Sequence, residues 1–303
     1  MTKLKNNSVI LSLVLVLLCG CGKELKDLQN TSDTSTLSAI NVLDPAKGNL
    51  RLVATDAPFT YDSVTSAKIT VSRIDIKNAS SGYITVMSQP ATLDLVNLKN
   101  GMISVLSDLT IAPGEYDEIR LLISSASVDL KNGSHFNLTV PSGAQSGLKV
   151  FISPAISVNS QMSKDVLLDF DLSRSFVALG NSQNVNQILG FNFSPIIRAS
   201  NLTSAGTIAG KINSDNGTND LSDDLPLAGA VVGLSQNGNT ISTAVTEANG
   251  NYKFIGLPAG SYTLTISSAG FSPRDPINLS VTSGNITMTD DVLLNFVIQN
   301  PAQ

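Results

Sequence analysis

The sequence predicts an all-β protein, two β-sandwich domains in tandem behind a secretory leader and a polar tether. Three observations predict it. From Asn49 onward the apolar residues recur mostly at every second position, in short runs separated by clusters of Gly, Pro, Asn and Ser. That is the period of half-buried strands, not of helices. Hydrophobic residues make up 42% against 14% charged, and 22 Gly and 12 Pro suit a turn-rich globular chain while excluding wholesale disorder and collagen. Finally, 303 residues exceed one typical domain and are enough to bury two cores.

The N-terminus comes first. An apolar stretch from Val9 to Leu18, interrupted only by Ser12, follows Lys3 and Lys5 as an h-region follows an n-region. It falls short of the roughly 20 apolar residues that a transmembrane helix needs. The stretch ends in Leu18-Cys19-Gly20-Cys21, which resembles a bacterial lipobox, with Cys19 where Ala or Ser is commoner. The resemblance implies that residues 1–20 are a lipoprotein signal peptide. It also implies that Cys21 becomes the lipidated, palmitate-bearing first residue and that the membrane is a partner through that anchor. Each buried lipid methylene is worth about 0.8 kcal/mol, so several chains would hold permanently. Cys19 would leave with the leader and Cys21 would carry a thioether, so no disulfide could form. Removal of Lys3 and Lys5 would take the net charge from −5 to −7, leaving the lipid as the anchor. Gly22 stands where an inner-membrane retention signal would place Asp. The resemblance therefore favours the outer membrane, on either its periplasmic or its surface face. Residues 21–48 read as lipidated cysteine and flexible linker, with Thr31-Ser32-Asp33-Thr34-Ser35-Thr36 at the centre and a reach of about 25 to 30 Å.

Residues 49–200 read as the first sandwich. Ala67, Ile69 and Val71 are apolar at odd positions and Ile74 and Ile76 at even ones, so a β-bulge is expected around Ser72-Arg73. Val128 and Leu130, then Lys131-Asn132-Gly133-Ser134, then Phe136, Leu138 and Val140 predict a hairpin on an Asn-Gly turn. Asn100 to Leu109 is the one helix candidate: Asn100 can cap, and Met102, Val105, Leu106 and Leu109 fall on one helical face. The polar stretch from Ala199 to Ser204 reads as a short boundary. Residues 205–297 read as the second sandwich, with about seven strand signals and Tyr262, Leu264 and Ile266 facing inward. Pro113-Gly114-Glu115-Tyr116 and Pro258-Ala259-Gly260-Ser261-Tyr262 share one device: a Pro/Gly turn, then a Tyr with its ring inward and hydroxyl at the rim.

Five separated blocks carry a family resemblance across about residues 49 to 200. They are Leu50 to Pro58 (LRLVATDAP), Gly114 to Leu121 (GEYDEIRL), Val140 to Leu148 (VPSGAQSGL), Leu168-Asp169-Phe170-Asp171 and Pro195-Ile196-Ile197-Arg198. In order and spacing they resemble a bacterial lipoprotein family known as domain of unknown function 4382, which lends no activity. Gly206 to Ile212 (GTIAGKI), Pro226 to Val232 (PLAGAVV) and Thr246 to Phe254 (TEANGNYKF) through Tyr262 resemble the carboxypeptidase regulatory-like sandwich, with Glu247 where Asp is commoner. That resemblance implies structural motif residues, glycines in turns with Tyr252 and Phe254 on alternate faces, and a stalk, spacer or binding accessory. Its carbohydrate-binding-like fold label says little about a ligand.

Little of the sequence points to chemistry. Nineteen basic against 24 acidic residues leave no basic footprint for nucleic acid. Zinc normally takes several His or Cys ligands, and a mature chain with a single His and a lipid-blocked sulfur cannot supply them. His135 would have to build a catalytic triad at an exposed hairpin end, so a solvent-facing role is expected. Asp169 and Asp171 lie on one strand face roughly 7 Å apart, but a glycosidase pair must flank a cleft; hydrogen bonds to loops or a solvated face are expected instead. Asp56 is expected to make an Asx-turn. The acidic loop Asp215 to Asp224 offers oxygens that calcium could take, although Gly217 sits where an EF-type loop wants Asp or Asn. No Trp is present to form an aromatic sugar platform, and Tyr61 and Tyr83 are the only spare aromatics with polar neighbours. No Gly-rich phosphate loop lies between a strand and a helix. The expected function is a non-catalytic binding or adhesion module of the cell envelope for a glycan or a protein, without catalytic residues, metal or cofactor and with no assigned ligand residues. The alternative is a structural envelope component assembling through edge strands.

Overall fold

The structure is a computed structural model that describes residues 46–57, 63–141, 146–215 and 224–295. Residues 1–45, which hold the expected signal peptide, Cys21 and nearly all of the expected tether, lie outside the described residues, as do Tyr61 and residues 216–223 of the acidic loop. Alternating sequence becomes strand almost throughout. The first part of the chain forms β1 (Gly48–Ala57), β2 (Val64–Asn78), β3 (Gly82–Met87), β4 (Ala91–Asp94), β5 (Ser104–Ile111) and β6 (Gly114–Leu130). It continues with β7 (His135–Leu138), β8 (Leu148–Val158), β9 (Ser163–Asp171), β10 (Phe176–Gly180), β11 (Ile188–Phe193) and β12 (Ile197–Asn201).

Ten of these strands make one sheet, ordered β3-β2-β6-β8-β12-β9-β1-β5, with β4 on β2 and β7 on β6. The sheet folds over on itself, so its ends come together where Ser107 Oγ on β5 donates to the Val86 carbonyl on β3 at 2.6 Å. The alternate residues enclosed this way, among them Leu50, Leu52, Ile69, Ile74, Ile119, Leu121, Val166, Leu168 and Phe170, form one buried core. Each such side chain contributes about 1.5 to 3 kcal/mol on full burial. The hairpin β10–β11 stands apart as a two-stranded sheet.

The expected bulge is present: Val71 pairs Ile123 and Arg73 pairs Leu122, leaving Ser72 as the extra residue. Its Oγ bonds the Leu122 carbonyl at 3.0 Å. The Asn-Gly hairpin is present too, with Asp129 opposite His135 and Val128 opposite Phe136. The helix expected over Asn100 to Leu109 does not form. Asn100 (φ 56°) and Gly101 (φ 78°) are both left-handed, and Met102 N–H donates to the Lys99 carbonyl at 3.2 Å. This is the Asn-Gly turn geometry that launches a strand, and β5 follows it, paired with β1. The helical spacing of the four apolar residues arises because β5 is bulged, Leu106 being skipped between Ser107 opposite Leu52 and Val105 opposite Val53. The polar stretch from Ala199 to Ser204 is also not wholly a joint, since Ala199 and Ser200 are buried in β12.

The second part forms β13 (Gly206–Asp215), β14 (Leu225–Pro226), β15 (Val231–Gln236), β16 (Asn239–Val245) and β17 (Asn251–Leu257), then β18 (Gly260–Ser267), β19 (Ile277–Val281), β20 (Ile286–Met288) and β21 (Val292–Asn295). One sheet runs β14-β13-β17 with β20 and β21 also on β13, and the other runs β16-β15-β18-β19. Tyr262, Leu264 and Ile266 point into a second, separate core. Tyr252 and Phe254 do not take alternate faces; two residues apart on β17, both are buried and their rings meet edge to face at 6.1 Å. The shared Tyr device is realised identically. Tyr116 Oη donates to the Ala112 carbonyl and Tyr262 Oη to the Pro258 carbonyl, each at 2.7 Å and four residues upstream, a corner typical of β-sandwiches.

Candidate functional site

The two aspartates of Leu168-Asp169-Phe170-Asp171 show what the outer face of β9 is for. Val166, Leu168 and Phe170 fill the first core, and the opposite face is not solvated, because Leu167 is fully buried and Asp169 and Asp171 are 8% and 6% exposed. Arg198, opposite Asp169 in the β9–β12 ladder, bonds its carboxylate at 2.7 Å. The same guanidinium reaches the second sandwich, donating to the Gly256 carbonyl at 3.0 Å and approaching that of Ile255 at 3.5 Å. Asp171 caps the helical turn Leu172–Ser175 by accepting from Arg174 N–H at 2.9 Å, and it holds Arg174 Nε at 2.6 Å. Arg174 then donates to the Thr240 carbonyl at 3.1 Å.

These carbonyls share a feature. Residues 255 and 256 lie where the register of β17 on β13 slips, and Thr240 adjoins Ile241, the extra residue where β16 slips against β15, whose carbonyl Arg174 approaches at 3.5 Å. Backbone groups at bulges lose ladder partners, and the arginines satisfy them. Gly256 is needed for this approach: at φ 70° a Cβ would lie 2.3 Å from Leu167 Cδ2. The two aspartates therefore orient an interdomain clamp. Burial pushes the Asp169 carboxyl up, against the pull of Arg198.

The residues after Ala57 that would close the Asx-turn expected at Asp56 lie outside the described residues; Asp56 itself is buried and accepts from Leu172 N–H at 3.0 Å, adding a second carboxylate to the same helical turn. His135 is an exposed partner of Asp129 (Nδ1 to Oδ1, 2.6 Å) and Asn137 (3.2 Å), as its place at the hairpin suggested. Tyr83 is no sugar platform. Its hydroxyl bonds the buried Glu118 carboxylate and its ring carries the Arg120 guanidinium at 3.8 Å. Burial works to raise the Glu118 carboxyl, but Tyr83, Lys149 and Lys77 outweigh it and hold the group below the usual range. Among the described residues no group of three or more His, Cys, Asp or Glu could hold a metal.

What sequence reasoning missed is a cleft of about 420 Å³ beside the clamp. The left-handed Asn100-Gly101 turn forms one wall, and a Cβ on Gly101 would lie 3.2 Å from Ile255 Cγ2 and 3.4 Å from Lys253 Cδ. The β17–β13–β20 sheet is the other side. Lys253 pairs Ala209 and Asn251 pairs Lys211, while Met288 pairs Ala209 from the far side. Small Ala209 thus makes a dip between Lys253 and Met288. The Tyr252 and Thr289 hydroxyls meet at 2.9 Å along the lining. Glu247, the departure from the commoner Asp, reaches Asn100 Nδ2 at 3.0 Å across the domain joint. The Asn-Gly dipeptide was the available signal, but a wall needs the sheet opposite, which lies about 150 residues further along.

No curated protein sequence matches the chain. Among solved structures, a minor pilin of Streptococcus agalactiae is similar at 12% identity and TM-score 0.27, covering 84% of this chain and 98% of that one. The 5-hydroxyisourate hydrolase of Klebsiella pneumoniae is similar at 25% identity and TM-score 0.23, covering 30% of this chain and 86% of that one. A type II cohesin–X–dockerin complex of Acetivibrio cellulolyticus is similar at 30% identity and TM-score 0.23, over 29% of this chain and 56% of that one. The family model of a domain of unknown function, DUF4382, matches residues 47–189, and that of the carboxypeptidase regulatory-like domain matches residues 207–295.

Proposed function

We propose that the protein is a non-catalytic binding module of the bacterial cell envelope, lipid-anchored through Cys21 to the outer membrane, whose ligand, a glycan or a protein, seats in the cleft beside Asn100. The observation that carries this reading is the cleft at a domain joint stiffened by the Arg174 and Arg198 clamp, the position where binding sites concentrate. The larger groove around Arg51 is a weaker candidate because Arg51 and Asp165 satisfy each other at 3.0 and 2.5 Å. Catalysis by Asp169 and Asp171 is disfavoured because both carboxylates are spent on arginines. Assembly by strand addition is also disfavoured. The ends β3 and β5 engage each other, Arg174 and Arg198 occupy β16 and β17, and Thr287 Oγ1 bonds the Ser280 carbonyl between β20 and β19 at 3.1 Å.

The test is an array of glycans and matrix proteins probed with the intact chain and with Ala209→Trp, which fills the dip. A saturable hit lost in Ala209→Trp at unchanged circular dichroism is expected. A blank array, or a hit indifferent to the substitution, overturns the reading.

A further inference from the structure

The charges around the cleft are unequally satisfied. Glu247 is hydrogen-bonded to Asn100 and Asp291 faces Asn213 Nδ2 at 3.5 Å. Lys211 and Lys253 have no counter-ion within 4.0 Å among the described residues. They occupy diagonal positions on one outward face of the β13–β17 ladder, within reach of one another. The Lys253 stem lies against the Asn100-Gly101 turn, so part of its rotamer freedom is already lost before any ligand arrives. Beside them on the same face stand the Asn251 amide and the 68% exposed Met288.

We infer that the cleft takes a carboxylate-bearing oligosaccharide, its acid group between the Lys211 and Lys253 ammoniums and its hydroxyls on the surrounding polar groups. This rests on the binding reading above and specifies it. An acidic peptide fits the cleft less well. The carbonyls of Ile255 and Gly256 on β17 are held by Arg198, which obstructs strand addition there. Two ammoniums suit a carboxylate, and the mixture of donors and acceptors suits ring hydroxyls.

The intact chain is titrated with a galacturonic acid oligosaccharide, with the same oligosaccharide carboxyl-reduced to its neutral form, and with polyaspartate. The uronate binds, the neutral form binds at least about tenfold more weakly, and polyaspartate binds weakly. Lys211→Met and Lys253→Met each weaken uronate binding about tenfold, the scale of one charge-assisted bond, while Lys253→Arg retains it. Raised salt weakens it as well. Equal binding of the neutral form, or lysine variants without effect, overturns the charge assignment and leaves the binding reading standing. Polyaspartate binding as tightly as the uronate makes the site a peptide site and overturns the inference. No response to any probe, alongside an array hit lost in Ala209→Trp, overturns the ligand class alone. A blank array overturns both.

Discussion

His135 is the chain's single histidine, so its ring signals report one environment. Hydrogen bonds that its ring donates to Asp129 and then to Asn137 raise its pKa above 6.5. A raised value in the folded state favours the charged form. The stabilisation is therefore complete below about pH 6.5 and lost as pH rises through the folded value. Proton NMR of the intact chain is expected to give a titration midpoint above 6.5, and Asp129→Asn is expected to bring it down; an unmoved midpoint would show that the contact is not populated. That His135 faces solvent was legible from its place beside the Asn-Gly turn. The partnerships of Asp56, Asp169 and Asp171 were not, because a strand's period tells which face a side chain takes but not what covers that face. Glu118 is a similar case: inside GEYDEIRL it reads as a surface carboxylate, and only the fold brings Tyr83, Lys77 and Lys149 to it.

Strands with alternating burial were legible wherever one face meets a core, as in Tyr262, Leu264 and Ile266 on β18. Elements that depend on backbone handedness were harder. Over Asn100 to Leu109 the apolar residues fit the helical period, because β5 slips against β1 at Leu106 and breaks the period of two, and the left-handed pair Asn100-Gly101 decides for a turn and strand. At this scale the arginine clamp makes a prediction. Arg198→Ala leaves Asp169 buried beside an empty position and costs about 3 kcal/mol, the range for breaking a buried pair. Arg174→Ala, whose side chain is 42% exposed, costs no more than about 1 kcal/mol. Asp169→Asn placed in the Arg198→Ala chain recovers part of the loss, since the orphaned charge is removed. Calorimetry of the four chains checks this, and in Arg198→Ala the two sandwiches are expected to melt in separate steps. A single transition shifted equally by both arginine substitutions would show that the clamp does not couple the domains.

For the whole molecule, the N-terminal pattern sets the expectation that Cys21→Ser moves the protein from the membrane fraction to the soluble fraction and removes acyl label. Retention at the membrane would break the lipoprotein reading. Architecture at this scale was largely present in the sequence. Period-two patterning, turn residues at fixed offsets and two Tyr corners are local properties, each dictated by the geometry of a few adjacent residues, and together they determined an all-β chain with two cores. What only the tertiary structure decided is how those cores meet. The clamp joins residues 169, 171, 174 and 198 to carbonyls at 240, 255 and 256, and the cleft sets Asn100 against Lys253. These contacts span roughly 60 to 150 positions. They form because bulges leave particular carbonyls unsatisfied and a glycine lets two sheets approach, and neither condition is written in the local pattern of either partner.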